Sequence, residues 1–292
     1  MWHLNKIPKI MHCYWGSSAP LSYLRFLTVA TFSKLNPDWE IRVYTTKEKV
    51  LERTWKAEKK HAVTKDYAGP NYFNKLEELC LDNPNITINE VNFSETVVSG
   101  AHDVQKSDFL RWELLRDIGG LWSDFDIIYF KSMQELVENN LLYSDKSLFL
   151  SRYNRSEKMP FSSFAIGFLM SEQGNPTINK CTDFFESAFS KQEFQSGGSS
   201  LLKSVTVESS DDLIFMDQFC VYPIIYNELN QLFNGVCNNW DSSVGFHWYG
   251  GARVMEKVEL DFSESLFSVS EENIEKRFKE IVEHIGPEWR NI

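Results

Sequence analysis

The sequence predicts an α/β fold: one mixed α/β domain with a helical C-terminal tail. Three observations lead there. Residues 7–45 run through strand-like, helix-like and again strand-like hydrophobic periods. An amphipathic helix over about 104–118 passes through a Gly-Gly pair straight into another apolar strand. The C-terminal stretch spaces its apolar residues as a helix does. With 292 residues, 34.1 kDa and 42% hydrophobic residues, the chain is long enough for one large domain and apolar enough for a substantial core. It is expected to form one domain over 1–292, with a ligand-binding half at 1–130, a second half at 131–255 and the tail at 256–292.

In order, IPKIMHCYW opens with a proline and runs apolar into Gly16, as a buried strand ending in a loop. Over 20–35, Leu21, Leu24, Leu27, Val29 and Phe32 fall near helical spacing, and Asn36-Pro37-Asp38 stops that helix. In WEIRVYTT, Trp39, Ile41, Val43 and Thr45 alternate with polar partners as in a strand. Residues 46–62 are charged and read as helical, KLEELCLDN as a short amphipathic helix, and ITINEVNF as another alternating strand. In the helix from about Val104 to Ile118, Asp103 is the expected cap, and Phe109, Leu110, Leu114, Leu115 and Ile118 form the apolar face. LWSDFDIIYF reads as a strand interrupted by two acids. LFLSRY and SSFAIGFLM read as two further strands, 176–190 as a helix, and Gln195–Ser200 as a short flexible linker. VGFHWYGGARV reads as a strand leading into a glycine turn. The last helix, 271–284, buries Ile274, Phe278, Ile281 and Val282.

Lys and Arg total 30 against 41 Asp and Glu, a formal net charge of -11. Such a surface repels phosphate backbones, so no nucleic-acid partner is expected, although a small anion can still be held by a local cation. The aromatic share of 14% serves either a ring-rich core or a cleft that stacks flat ligands, and composition does not choose between them. The five cysteines, Cys13, Cys80, Cys181, Cys220 and Cys237, form no C-x-x-C pair, which argues against a zinc knot or a disulfide scaffold. No run approaches the ~18 apolar residues of a membrane span, and the N-terminus lacks a signal-peptide pattern. A soluble cytoplasmic protein without a transmembrane segment is expected, which leaves peripheral membrane association open.

The chemistry concentrates in SDFLRWELLRDIGGLWSDFDII, residues 107–128. Asp124 and Asp126 are alternate residues and face the same side of an extended chain. Two carboxylates held together need neutralising, and a divalent cation such as Mg²⁺ or Mn²⁺ does this while bridging to phosphate oxygens. On these residues alone, a solvated acidic turn is the competing reading. Asp108 and Arg111 are three apart on the preceding helix and share a face. The Gly-Gly turn brings them back toward the two acids, either as a structural ion pair or as a grip on hydroxyl and phosphate groups.

The run SDFLRWELLRDIGGLWSDFDI resembles the S-D-x-x-R … G-G-x-Y-x-D-x-D signature of glycosyltransferases with a sugar-binding DXD region. These are the glycosyltransferase family 32 and capsular polysaccharide synthesis type, with the large clostridial glucosylating toxins as more distant members. IPKIMHCYWG and NPDWEIRVYTT resemble that family's opening strand and the segment after its first helix. FHWYGGARV resembles its H-x-W-x-x-S-W element, with Gly251-Ala252 where Ser-Trp is usual.

The resemblance implies a GT-A fold and a metal-dependent glycosyltransferase that uses Mn²⁺ or Mg²⁺ and a nucleoside diphosphate sugar, with a UDP-sugar preferred. It further implies a glycan or glycolipid acceptor and retention of configuration, in surface polysaccharide synthesis. By position, Trp15 stacks on the base, Asp108 and Arg111 hold the donor sugar, and Asp124 contacts ribose or sugar hydroxyls. Asp126 is the direct metal ligand, with Asp124 and His247 beside it, and His247 also reaches the diphosphate. Asp124, Asp126 and Arg111 form the implied catalytic set. Asp217-Gln218 is a further candidate near the sugar, matched by a plain helix-start reading of Asp217. The competing functions are a toxin-like protein glucosyltransferase and an inactive sugar-nucleotide binder.

Overall fold

Over residues 6–16, 19–48, 67–139, 147–152, 164–206, 213–216, 218–234, 243–268 and 274–285, the computed structural model describes a seven-stranded sheet between two helical layers. Its first strand is β1 (Ile10–Tyr14), followed by α1 (Tyr23–Leu35), β2 (Glu40–Thr45), α2 (Phe73–Asp82) and β3 (Ile86–Glu90). Then come α3 (Asp103–Asp117), β4 (Gly120–Ser123), β5 (Ile127–Tyr129), α4 (Met133–Asn139), β6 (Leu148–Arg152) and β7 (Phe164–Ser171). The remainder holds α5 (Pro176–Ala188), α6 (Ser199–Thr206), β8 (Leu213–Met216), β9 (Gly245–His247), α7 (Arg253–Asp261) and α8 (Ile274–Ile285). The predicted helix over 46–62 lies outside the described residues from 49 on.

The period of two in the strands decides which helices cover which face. Met11, Cys13, Ile41, Val43 and Leu121 pack on one side, against α1 and the α7 and α8 residues Met255, Val258 and Phe278. Tyr14, Tyr44 and Trp122 face the other side, against Trp112 and Leu115 of α3 and Ile178 and Phe185 of α5. Most of the aromatic excess is spent here: Trp112, Trp122, Trp248 and Tyr129 are fully buried. The C-terminal helices are integral to the core, since Phe278 meets Phe130, Phe246 and Phe262.

The strand order is β3-β2-β1-β4-β7-β6-β8. β1, β2, β3 and β4 run parallel, and β7 is antiparallel to both of its neighbours. The chain winds outward from β1 to β3, then returns to the opposite side of β1 with β4. In open α/β sheets such a reversal leaves a crevice beyond the carboxyl ends of the two central strands. Trp15 follows β1 and Asp124 follows β4, so both open onto it.

Four local expectations are corrected. The cap of α3 is His102, whose Nδ1 accepts from Val104 N–H at 3.2 Å, while Asp103 is the first helical residue and accepts from the Tyr14 hydroxyl at 3.0 Å. LWSDFDIIYF is two strands in different sheets, because β5 leaves the main sheet to pair with β9. Gln195–Ser200 is a packed turn: Trp112 Nε1 donates to the Gly197 carbonyl at 2.7 Å, and α6 begins at Ser199. The opening strand is shorter than IPKIMHCYW, because only Ile10–Tyr14 pairs with β2, with Met11 and His12 pairing with β4 on the other side. Of the residues assigned to the last helix, Phe278 and Ile281 are buried.

The predicted Gly-Gly stop holds. Gly119 and Gly120 have φ of 76° and 105°, and a Cβ on Gly120 would lie 2.5 Å from the Ile10 carbonyl oxygen, so β4 can reach β1 only with glycine there. His12 of β1 donates through Nε2 to the Gly119 carbonyl at 2.9 Å, which leaves Nδ1 to accept from the Tyr44 hydroxyl at 3.1 Å. Burial pushes His12 down to about 4, so it folds neutral. Below the ordinary value of 6.5 the unfolded chain takes up this proton first, so the stability is present above that pH and is lost as pH falls toward 4. The loss amounts to about 3 kcal/mol. Urea unfolding between pH 7 and pH 4.5 is expected to show a shallower decline for His12→Gln than for wild type.

Candidate active site

Three segments bring the polar groups of the crevice together. α3 contributes Asp108 and Arg111, the turn after β4 contributes Asp124 and Asp126, and β9 contributes His247. The Arg111 guanidinium bridges two carboxylates, donating through Nη1 to Asp108 Oδ1 at 2.9 Å and through Nη2 to Asp124 Oδ1 at 3.0 Å. Trp122 Nε1 also donates to Asp124 Oδ1, at 2.8 Å, and the Trp122 ring lies 4.9 Å beneath the guanidinium. Asp108 sits under Gly198, where a Cβ would come within 2.6 Å of Oδ2. Burial pushes the Asp108 carboxyl up to about 7 against the pull of Arg111, and nearby Asp124 adds to the rise. It is therefore poised to accept or to donate a hydrogen bond near neutral pH.

His247 arrives by strand register. In the β5–β9 ribbon Ile127 stands opposite His247, which sets the imidazole beside Asp126. His247 Nε2 meets Asp126 Oδ1 at 3.1 Å, and Gly250 N–H donates to Asp126 Oδ2 at 2.8 Å. Burial raises the Asp126 carboxyl, but the imidazole, Arg25 and the Gly250 amide outweigh it and hold the group down at about 2. For His247, burial pulls down and the Asp126 carboxylate pulls up harder, so the imidazole lies above its ordinary value.

One donor atom from each of Asp124, Asp126 and His247 lies within 4.8 Å of the others. Ligands around an ion of Mg²⁺ or Mn²⁺ size sit about 3–4 Å apart, so the set needs only a small contraction to hold one. Two carboxylates with an imidazole are a fitting donor set, and His247 Nδ1 is buried with no hydrogen-bond partner among the described residues. Gly167 of β7 leaves room for this group. Its carbonyl accepts from Asp124 N–H at 2.7 Å, and a Cβ there would come within 2.7 Å of Asp124 Oδ2 and 3.0 Å of His247 Nε2. Gly167→Ala is expected to spread the cluster and weaken Mn²⁺ binding about tenfold, read by Mn²⁺ titration, with the fold retained.

Trp15 stands at the crevice's other wall. Phe125, between the two acids, meets its ring edge-on at 5.7 Å, and its Nε1 donates to the Ala19 carbonyl at 3.1 Å. The ring borders an open cavity of about 420 Å³ with Gly16, Pro20, Thr45, Asn71 and Phe73. All six residues singled out in the sequence thus converge on one edge of the sheet. Asp217 lies outside the described residues.

Residues 79–196, the stretch that carries Asp108, Arg111, Asp124 and Asp126, match the capsular polysaccharide synthesis protein family. Among solved structures, the WbbM bifunctional glycosyltransferase has a TM-score of 0.50 at 10% identity, over 94% of this chain and 49% of that one. The galactosyltransferase LgtC, solved with donor and acceptor sugar analogs, has 0.49 at 15% identity, over 97% and 99% of the two chains. The PaToxG glycosyltransferase has 0.44 at 16% identity, over 96% and 85%. No curated protein sequence matches the chain. The sheet order and the WbbM likeness define the class, a GT-A fold. That fold is shared with glycosyltransferases, and residues 79–196 are similar to the capsular polysaccharide synthesis family.

Several site residues escaped the sequence reading. Gly167 lies inside an apolar strand run with nothing to mark it. Gly250 was visible only as part of a glycine turn. Arg25 and its partner Glu259 are 234 residues apart, and neither sits in a motif. Tyr249 has φ 55°, the left-handed conformation at a non-glycine residue, which no local pattern announces.

Proposed function

We propose that the protein transfers a sugar from a nucleoside diphosphate sugar, preferably a UDP-sugar, to a glycan or glycolipid acceptor, with retention of configuration, in surface polysaccharide synthesis. The observation that carries this is the Asp124–Asp126–His247 cluster at the sheet's switch point, beside the cavity that Trp15 borders. Asp124, Asp126 and His247 would hold Mn²⁺ or Mg²⁺, and the imidazole nitrogen favours Mn²⁺. A divalent ion there supplies positive charge to the departing diphosphate.

The chain's own residues do the rest. Trp15 offers a flat wall for the base. Arg111 keeps Asp124 turned toward the cluster and places fixed positive charge behind the sugar. Asp108 meets sugar hydroxyls as acceptor or donor, according to its protonation. In front-side attack the acceptor oxygen bonds to the anomeric carbon as the carbon–diphosphate bond breaks, and the departing diphosphate takes the hydroxyl proton, so a retaining transfer needs no protein nucleophile.

The test is a screen of nucleotide sugars for a thermal shift and for turnover, with Mn²⁺ and with EDTA. A UDP-sugar that stabilises the protein and is consumed only with metal is the expected result. Equal turnover in EDTA would overturn the metal assignment. Because His247 must be neutral to bind a cation and its protonated form is favoured in the metal-free site, Mn²⁺ affinity is expected to rise with pH through the range above 6.5. Mn²⁺ titrations at pH 6, 7 and 8 check this.

A further inference from the structure

A buried cation lies beneath the crevice. Arg25 of α1 is 5% exposed, and its guanidinium sits between two indoles, 4.8 Å from the Trp15 ring and 4.9 Å from the Trp248 ring. Glu259 of α7 holds it, accepting from Arg25 Nε at 2.6 Å and from Nη2 at 3.4 Å. Ser22 Oγ donates to the same carboxylate at 2.8 Å and accepts from Arg25 N–H at 3.3 Å, which fixes both partners against the start of α1.

The two indoles belong to opposite walls of the site. Trp15 borders the cavity, whereas Trp248 begins the turn that meets Asp126. Trp248 N–H donates to the Asp126 carbonyl at 2.8 Å, and Gly250 N–H donates to the Asp126 carboxylate. Arg25 lies so close under Gly250 that any side chain there would run into its Nη2. Between them Tyr249 adopts the left-handed conformation, which costs a non-glycine residue energy and persists only when its surroundings impose it. Its hydroxyl donates to the Ile224 carbonyl at 3.1 Å.

We infer that Arg25 is a positioning residue: clamped by Glu259, it sets the spacing between the Trp15 wall and the Trp248–Gly250 turn, and so holds Asp126 in place for its ligand. The ligand half of this inference rests on the metal reading above. The geometric half, that Arg25 holds the turn, needs no ligand. A flat guanidinium suits this role, because it can stack on two rings at once while its edge pairs with a carboxylate.

The experiment compares wild type, Arg25→Lys and the double variant Arg25→Met/Glu259→Met. The double variant removes both buried charges and leaves neither unpaired, which keeps it foldable. Thermal unfolding confirms folding. Amide hydrogen exchange of Gly250 then reads the turn, and Mn²⁺ titration reads the site. The expected result is a double variant that exchanges the Gly250 amide at least about tenfold faster while core amides are unchanged, and that binds Mn²⁺ about ten- to a hundredfold more weakly. Arg25→Lys should show both losses in smaller degree. Wild-type Gly250 exchange in the folded variants overturns the inference. A wild-type protein that binds no Mn²⁺ counts against the metal reading alone, because the exchange measurement decides the role of Arg25 without it.

Discussion

Asp126→Asn is expected to lower sugar transfer on the order of a thousandfold while leaving the protein folded. Asp126 shares one narrow cluster with Asp124 and His247, and on the metal reading proposed above the loss of a ligand charge would remove stabilisation of the leaving group worth several kcal/mol. Asparagine keeps the shape and an acceptor for the Gly250 amide, so the change falls on charge. It also removes the carboxylate that raises the His247 imidazole above its ordinary value. The metal-free variant should therefore lose the part of its stability that this pair supplies. In wild type, Asp126 is held down at about 2, so its contribution is present above the ordinary carboxylate value near 4 and is lost as pH falls through 2. Steady-state turnover of a UDP-sugar, Mn²⁺ affinity and urea unfolding at pH 7 separate the effects. Wild-type turnover by Asp126→Asn would overturn its place as a metal ligand.

Arg111→Met is expected to be the most destabilising single change at the site, by about 3–5 kcal/mol, because it strands carboxylates that share one counter-charge. Arg111 is 2% exposed, and both Asp108 and Asp124 lean on it. Without it, burial and mutual repulsion push the Asp108 carboxyl further above its already raised value. A carboxyl raised in the folded state costs stability above its unfolded value and returns it on protonation, so the deficit should shrink as pH falls. Urea unfolding at pH 8 and pH 5.5 checks the sign. Arg111→Lys should recover only part of the loss, since one ammonium cannot span two carboxylates as a planar fork does. An Arg111→Met protein as stable as wild type at pH 8 would mean that the bridge carries no net weight.

The site was legible where its parts are close in sequence. Asp108, Arg111, Asp124 and Asp126 fall within nineteen residues on a helix, a glycine turn and a strand end. Helical spacing and the obligatory glycines at 119 and 120 are enough to bring them together. The same locality explains the errors. His102 caps α3 in place of Asp103 because Tyr14, from a distant strand, claims the Asp103 carboxylate. Gln195–Ser200 is composed like a linker, yet it is packed because Trp112 and Asp108 lie beneath it.

The sequence by itself determined the elements and the acidic pair, because period and turn chemistry act over a few residues. Only the tertiary structure decided which residues complete the site. β5 leaves the main sheet to pair with β9, and that register carries His247 and Gly250 to Asp126, the glycine from 124 residues away. The packing of α7 on α1 buries Arg25 with Glu259 and wedges it between Trp15 and Trp248. Pairings of this kind are set by strand register and by desolvation of opposite charges, and neither leaves a mark on the residues beside them in the chain.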